Sequence, residues 1–426
     1  MSNNPLIIVG AGHAGVEVSV AAREAGWNGE IVLISEEKHL PYHRPPLSKS
    51  YLAGETAVDT VVLKPASIYE RAGIRLLLGN RVESIDRAAR NVALSGGSEL
   101  RYERLVLATG GRPRTLPISV LGAGQVRNLH YLRTLDDANR IKSQLIPGRR
   151  MVVVGGGYVG LELAALAVKA GLMVTVLEAA ERVLARVTAQ VVGDFYAKVH
   201  RAAGVTIETS QQVEGFELDS SGANIVAVRC SSGDLFPADL VVAGIGLVPN
   251  TELASAAGLT VADGVLVDEF ARTSDPAIYA TGDCTRYFSQ LYQRSIRLES
   301  VPNALEQART VAASLCGKQR RYDSVPWFWS DQYDLKLKMV GLSSGYDQVI
   351  LRGDLSERSF SAFYLRGRRV LAADTVNRAP DFLVAKQLVG AAAEVDPSDL
   401  ANPAISLRDL LPSPGRPPVQ QPSVAR

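Results

Sequence analysis

An α/β architecture, two similar wound halves followed by a smaller α+β domain, is predicted by three features of the 426-residue chain. A glycine signature occurs twice: LIIVGAGHAG, with Gly10, Gly12 and Gly15, and MVVVGGGYVG, with Gly155, Gly157 and Gly160. Each copy follows a short apolar run and opens a helical pattern, and a second apolar strand ending in an acid comes roughly 20 residues later, IVLISEE with Glu36 and VTVLEAA with Glu178. From residue 323 the chain changes character, with tryptophans and the alternating run SFSAFYLRGRRVLAADTV. A buried strand ending in a glycine turn lets backbone approach a pyrophosphate, and the next helix offers free N–H groups and its positive dipole end. The acid is placed for an adenosine ribose 2′-hydroxyl. Strand, turn, helix and acid recur in order, so the halves are tandem Rossmann-like domains for two dinucleotides, and holding two is usual where a nicotinamide passes hydride to a flavin.

Composition narrows the class. Length alone suggests two to four domains. The net charge of +2 is nearly neutral, which does not favour wholesale binding to nucleic acid or an anionic membrane. No apolar segment reaches spanning length, and the run from Leu240 to Val248 is broken by Gly244 and Gly246. The first strand begins too soon to leave room for a signal peptide, so the expectation is a cytoplasmic protein. Cys230, Cys284 and Cys316 form no Cys-x-x-Cys pair and no zinc spacing. The five histidines make no metal constellation, so no metal is expected.

The elements follow in order. After the first glycine turn and a helix to about Gly26 comes a strand over 30–34. The proline-rich HLPYHRPPLSKSYLAG cannot form regular structure, and a strand over 104–114 closes the segment. The second half has a helix over 136–145, the second glycine turn, a helix to Ala170, a strand to Glu178 and a helix over 188–203. Strands over 213–218 and 225–230 then lead to DLVVAGIGLVPN. TSDPAIYATGDCTRY returns to a strand of the first half ending at Gly282-Asp283, followed by the helical PNALEQARTVAASL. Antiparallel strands over 347–376 and a helix over 381–389 complete the chain, ahead of a proline-rich tail expected to be disordered from about residue 412. The domains implied are 1–111 with 246–322, an inserted 112–245, and 323–426.

Beyond the glycine turns, ATGG at 108–111 and TGD at 281–283 resemble the pyridine-nucleotide flavoprotein oxidoreductases over almost the whole chain. PPLSK at 45–49, GLELAA at 160–165, ESVPNALEQA at 299–308 and WFWSDQY at 327–333 are similar to the putidaredoxin-reductase type within them, NADH-dependent, FAD-containing reductases of [2Fe–2S] ferredoxins in oxygenase electron chains. The resemblance implies FAD in the first half and NADH in the inserted one.

Gly10, Gly12 and Gly15 would seat the FAD pyrophosphate, with Ala14 beneath it, and His13 is read as tolerated at a solvent-facing position rather than catalytic. Asp283, at a strand's C-terminal edge, is placed to accept from a ribitol hydroxyl, and the helix from Pro302 would aim its N-terminus at the isoalloxazine. The blander reading of Asp283 is a plain Gly-Asp turn. The resemblance puts Val301 beside the flavin ring and makes Lys49 and Glu162 an ion pair beside flavin N5 and the nicotinamide. It also implies cofactor contacts for Val82, Ala108, Thr109, Gly110, Arg133, Val159, Gly244, Gly282 and Trp329. Lys49 as a surface lysine and Glu162 as a helix N-terminal acid are the ordinary alternatives. Glu178 would accept from both ribose hydroxyls and repel a 2′-phosphate, favouring NADH over NADPH by at least about tenfold. Arg182 and Arg186 downstream are positioned to soften that preference. Tyr158 either gates the nicotinamide or packs on the strand. Trp327 and Trp329 read as mostly core, with Trp329 lining an exit, and Lys336, Lys338 and Arg309 as cations able to steer an acidic ferredoxin or as ordinary solvated charges.

Relatives with a redox disulfide need two nearby cysteines, and the peroxidases and oxidases of this architecture need one within residues 37–50; this chain has neither. Cys284 reads as a small core residue. Without an internal thiol acceptor, reduced FAD must pass electrons to an external partner, a [2Fe–2S] ferredoxin serving a cytochrome P450 or another oxygenase. A small-molecule acceptor is the rival among enzymes. An NADH-triggered binding flavoprotein resembling apoptosis-inducing factor is the rival outside them. The protein is expected to be a monomer or weak homodimer.

Overall fold

The computed structural model describes residues 4–116 and 126–412. They fall into two compact units: the chain up to Glu181 with His200–Ser324, and Arg182–Val199 with the chain from Val325 onward. The tail expected beyond about residue 412 lies, from 413, outside the described residues.

The first unit holds two parallel five-stranded sheets of the same plan. In one, Leu6–Val9 sits centrally between Ile31–Ser35 and Arg104–Leu107, with Ile74–Leu78 and Ile278–Ala280 at the edges. In the other, Arg150–Val154 is central between Met173–Leu177 and Leu240–Ala243, flanked by Thr206–Glu208 and Leu129–Tyr131. Both faces of the first sheet are covered, which is why its strands are uninterrupted apolar runs. Leu6, Ile8, Leu33 and Val106 face the helices His13–Ala25 and Val301–Leu315, while Ile7, Val9, Val32 and Leu107 meet Val92, Leu94 and Leu259 on the other side. In the second sheet Val152, Val154 and Val241 pack on Phe216 and Val228 of a small antiparallel sheet. The two neighbours of each central strand both follow it in sequence but lie on its opposite sides, so the winding reverses there and each glycine turn leaves its sheet where a crevice opens.

Three expectations about elements are corrected. The strand over 104–114 is two strands, Arg104–Leu107 and Gly111–Pro113, because Gly110 takes φ +61° between them; the second pairs antiparallel with Leu247–Pro249. The strand of TSDPAIYATGD ends at Ala280, and Gly282–Cys284 is a 3-10 turn entered through Gly282 at φ +82°. The proline-rich stretch is ordered: Pro45–Ser48 form a 3-10 turn, since the fixed φ of two prolines suits its first positions. Buried Tyr42, Leu47 and Tyr51 anchor it against Leu135 and Ala138.

The second unit is a five-stranded antiparallel sheet, in spatial order Trp327–Gln332, Leu335–Gly341, Arg369–Val376, Ser359–Arg366 and Gln348–Asp354, with the helix Ala379–Gly390. Its edge-to-face ring pair Phe195–Phe360, 4.9 Å between centroids, and the Ala189 N–H donated to Tyr364 Oη at 2.9 Å fasten Arg182–Val199 to the sheet. Most of the helix Gln190–Ala202 therefore belongs to this unit.

Candidate active site

Both glycine turns are built alike, and the building discriminates among their glycines. A Cβ on Gly10 would stand 2.2 Å from Ala108 O, and one on Gly15 1.8 Å from Gly10 O. Gly155 and Gly160 are closed in the same way, 2.6 Å from Gly244 O and 2.1 Å from Gly155 O. These four are required by the protein's own close packing. The middle glycines, Gly12 and Gly157, have nothing within 4 Å where a Cβ would be, and their φ values of −76° and −81° are accessible to any residue. Each is the N-cap of the following helix and has no side-chain cap, so the first N–H groups are left for a ligand. Two open cradles at helix N-termini fit two dinucleotide diphosphates.

Around the first cradle the structure gathers residues from distant segments. A Cβ on Gly282 would lie 3.1 Å from that of Ala14, which seats the Gly282–Cys284 turn at the start of the helix. Asp283 accepts from Arg133 at 3.0 Å, and Arg133 Nη2 lies 3.4 Å from where Gly110 would carry a Cβ. Thr109 exchanges hydrogen bonds with Asn250, donating to its carbonyl at 2.7 Å and accepting its amide at 2.9 Å. Val301 is the first residue of its helix, capped by Ser300 Oγ, which accepts the Asn303 N–H. Val82, by contrast, points into the apolar cluster of Val92 and Leu94. Glu36 is exposed and reaches Arg81 at 3.3 Å. Around the second cradle Glu178 accepts the Gly156 N–H at 2.6 Å and the Ala180 N–H at 2.8 Å, so its carboxylate is held at the turn. Tyr158 is half-buried and Val159 exposed in the first turn of the helix.

Lys49 and Glu162 meet. Lys49 Nζ lies 2.6 Å from Glu162 Oε2, with side-chain exposures of 21% and 3%. Ser48 Oγ donates to the same oxygen at 2.5 Å. The pair ties the proline-locked turn of the first half to the helix of the second cradle.

Other assignments change. His13 is not solvent-facing: it is 8% exposed, its Nε2 lies 3.3 Å from His43 Nδ1, and burial, then His43, Arg44 and Arg133, push it down to about 3. Arg182 donates to the carbonyls of Val183, Ala185 and Thr188, so it closes its own loop, while Arg186 is exposed. Arg309 is paired with Glu17 and Glu306 at 2.7 and 2.8 Å, and Lys336 with Asp331 at 3.3 Å. In the second unit Trp327 and Trp329 are half-buried rather than core. They line an open cavity of about 610 Å³ with Phe382, Lys336 and Lys338, because they share the face of their strand that the helix Ala379–Gly390 covers only in part. Cys284 is fully buried, and burial raises its thiol pKa, which disfavours a reactive thiolate.

The sequence reading missed Ser48, Asn250, Gln307 and the network of Glu37, Tyr42 and Arg44. Gln307, 1% exposed, accepts from the Gly282 N–H at 2.8 Å and the Thr285 hydroxyl at 2.9 Å and so fixes the turn carrying Asp283. A glutamine inside the apolar face of PNALEQARTVAASL was its only signal. Arg44 bonds Glu37 and the Arg133 carbonyl, both at 2.7 Å, and Tyr42 Oη donates to Glu37.

Two wound sheets, each with an open diphosphate cradle, joined by a buried ion pair, define a pyridine-nucleotide-dependent flavoprotein oxidoreductase. Residues 4–308 match the family described as pyridine nucleotide-disulphide oxidoreductase and residues 327–411 the one described as reductase C-terminal. The chain belongs to the pyridine nucleotide-disulphide oxidoreductase family. It is 52% identical to putidaredoxin reductase of Pseudomonas putida, over 96% of this chain and 97% of that one. The crystal structure of the covalent putidaredoxin reductase–putidaredoxin complex superposes with a TM-score of 0.93 at 52% identity, covering 96% of this chain and 98% of the other. The ferredoxin reductase for the CYP199A2 system of Rhodopseudomonas palustris gives 0.92 at 40% identity, over 96% and 99%. All three cysteines are free.

Proposed function

We propose that this protein is an NADH-dependent, FAD-containing ferredoxin reductase that passes single electrons to a [2Fe–2S] ferredoxin serving a cytochrome P450 or another oxygenase. The observation that carries this reading is the pair of open cradles at Gly12 and Gly157, matched in one chain and each next to an acid-ended strand. Relatives named for ferredoxin and oxygenase systems give the acceptor class.

Bound FAD would supply the chemistry that links a two-electron hydride donor to a one-electron acceptor. The chain's residues hold and orient. Gly12 and the N–H groups behind it receive the flavin diphosphate, with Asp283, held by Arg133 and steadied through Gln307, at the ribityl side. Gly157 receives the NADH diphosphate, and Glu178 takes the ribose hydroxyls and disfavours a 2′-phosphate. Lys49 and Glu162 fix the nicotinamide and offset charge as hydride moves; the ammonium and carboxylate are already in contact, so little reorganisation is needed. No thiol relay is at hand, since Cys284 is buried with its Sγ donating to the Thr281 carbonyl. The expected setting is the cytoplasm, and among the described residues no helix is long and apolar enough to cross a membrane.

Anaerobic NADH added to the yellow protein should bleach it rapidly, and cytochrome c reduction should then rise saturably with added [2Fe–2S] ferredoxin. Bleaching with no response to ferredoxin would point to a small-molecule acceptor and overturn the proposal.

A further inference from the structure

We propose that His13 and His43 form a proton-accepting pair that takes up one proton when the FAD diphosphate seats at Gly12, so that flavin retention tightens as pH falls. The inference rests on the cofactor reading above and concerns two side chains that reading leaves without a role.

His13 is the residue directly after Gly12 and the first of its helix. The residue is 8% exposed, with its ring centroid 5.3 Å from that of His43 and the two planes tilted by 57°. The 3.3 Å approach of Nε2 to Nδ1 leaves room for one proton between the nitrogens. In a neutral pair one ring donates and the other accepts, and a second proton can enter only by making one ring cationic.

The surroundings decide when that happens. Arg44, two residues from Pro46 in the proline-locked turn, and Arg133, just after the strand Leu129–Tyr131, both bear on His13. Lys64 bears on His43. The acids nearby are committed: Asp283 to Arg133, and Glu37 to Arg44 and Tyr42. Burial and the neighbouring cations therefore keep both rings neutral in the protein alone, with His13 down at about 3 and His43 also lowered. A diphosphate at Gly12 adds two negative charges beside the helix's first residue. The same low-dielectric setting that penalised a cationic ring then favours it. Binding an anion that favours the protonated pair must, by linkage, take up a proton, and affinity then rises as pH falls between the bound and free pKa values.

The FAD dissociation constant can be read from flavin fluorescence as holoenzyme is diluted at pH values between about 8 and 6. A one-proton uptake predicts tightening of up to about tenfold per pH unit within the window. The measurement is paired with calorimetric titration of the apoprotein by FAD in two buffers of different ionisation enthalpy, which counts protons directly. His13→Leu should flatten the pH dependence to less than about twofold and abolish the uptake, and His43→Gln, which keeps a polar group at the exposed partner, should do the same if the pair acts as a unit. Wild-type slope in both variants, or no proton taken up by the wild type, would overturn the inference. A wild-type protein that never holds flavin would overturn the cofactor reading and this inference with it, whereas a yellow protein whose flavin affinity is pH-flat would overturn this inference alone.

Discussion

Replacing Lys49 by methionine tests the ion pair where the geometry is most demanding. At 2.6 Å and an effective dielectric of about 20, the attraction between Lys49 and Glu162 is about 6 kcal/mol. Desolvation of the two ions offsets much of this, and Glu162, with 3% side-chain exposure, carries the larger burden. Methionine keeps the length and apolar stem of lysine but removes the ammonium from Glu162 Oε2, while the Ser48 hydroxyl stays. Removing one partner of a buried ion pair costs about 3–5 kcal/mol, so the melting temperature should fall by about 10 °C. Flavin reduction by NADH, followed by anaerobic stopped flow, should slow by about 10- to 100-fold because a preorganised charge at the nicotinamide is gone. Lys49→Met/Glu162→Leu should recover most of the lost stability and none of the lost rate. That split separates the two roles: a single variant that melts like wild type would refute the burial argument, and one that reduces flavin at the wild-type rate would refute the positioning role.

Gly12→Ala should fold normally, because the new methyl meets nothing within 4 Å, but should purify with little flavin, as read by absorbance at the flavin band. Gly157→Ala should stay yellow and lose NADH binding, measured by titration of the reduction rate; bound flavin in the first variant or normal NADH saturation in the second would mean the cradles are misassigned. Glu178→Ala removes both the ribose acceptor and the two backbone hydrogen bonds that pin the turn, so a preference for NADH of at least about tenfold in kcat/KM should shrink towards parity with NADPH. Burial pushes the Asp374 carboxyl up to about 7 against the hydrogen bond from Tyr364, so the folded second unit binds a proton that the unfolded chain releases near pH 4. The stability this confers is complete below about pH 4 and is lost as pH rises to about 7, by no more than about 4 kcal/mol. Asp374→Asn should therefore match wild type in acid and melt higher at neutral pH; parallel melting curves across that range would show that Asp374 does not titrate there.

What the sequence made legible was what close packing and periodicity encode locally. Gly15 and Gly160 meet the backbone of Gly10 and Gly155 within one strand–turn–helix unit, and Gly10 and Gly155 both take φ +106°, so the spacing survives as a pattern. The alternation in the second unit survives for the same reason, each side chain answering to its own strand. Contacts between segments far apart in sequence leave no such trace. Nothing in the run from Arg182 to Val199 announces that Phe195 packs on Phe360 and not on its neighbours in sequence. Arg133 and Asp283, expected separately at the cofactor, prove to hold one another across 150 residues. His13 was misplaced because a loop position next to Gly12 resembles a solvent-facing one until the Tyr42–Arg44 segment folds over it. The tryptophans were misread because hydrophobicity reports how costly exposure is, not whether a covering element reaches far enough.

These long-range contacts also explain how two separate cradles can serve one reaction. Ser48 and Lys49 stand on a turn whose backbone two prolines have already restricted, and Glu162 on the helix that begins at the second cradle. Tyr51 and Leu47 clamp that turn onto Leu135 and Ala138, and the Tyr51 hydroxyl donates to Asn139 at 2.6 Å. The Thr109–Asn250 exchange joins the two crossing strands on the other side. A buried carboxylate with a committed partner has few alternative positions, because each would expose or strand a charge. If the cradles hold the two nucleotides as proposed, the ion pair sets their spacing beforehand, and binding need not supply the energy of alignment. On this reasoning the double variant Lys49→Met/Glu162→Leu, though stable, should bind both nucleotides and still transfer hydride slowly, since an apolar contact restores cohesion without the directionality that the 2.6 Å and 2.5 Å hydrogen bonds to a single oxygen impose.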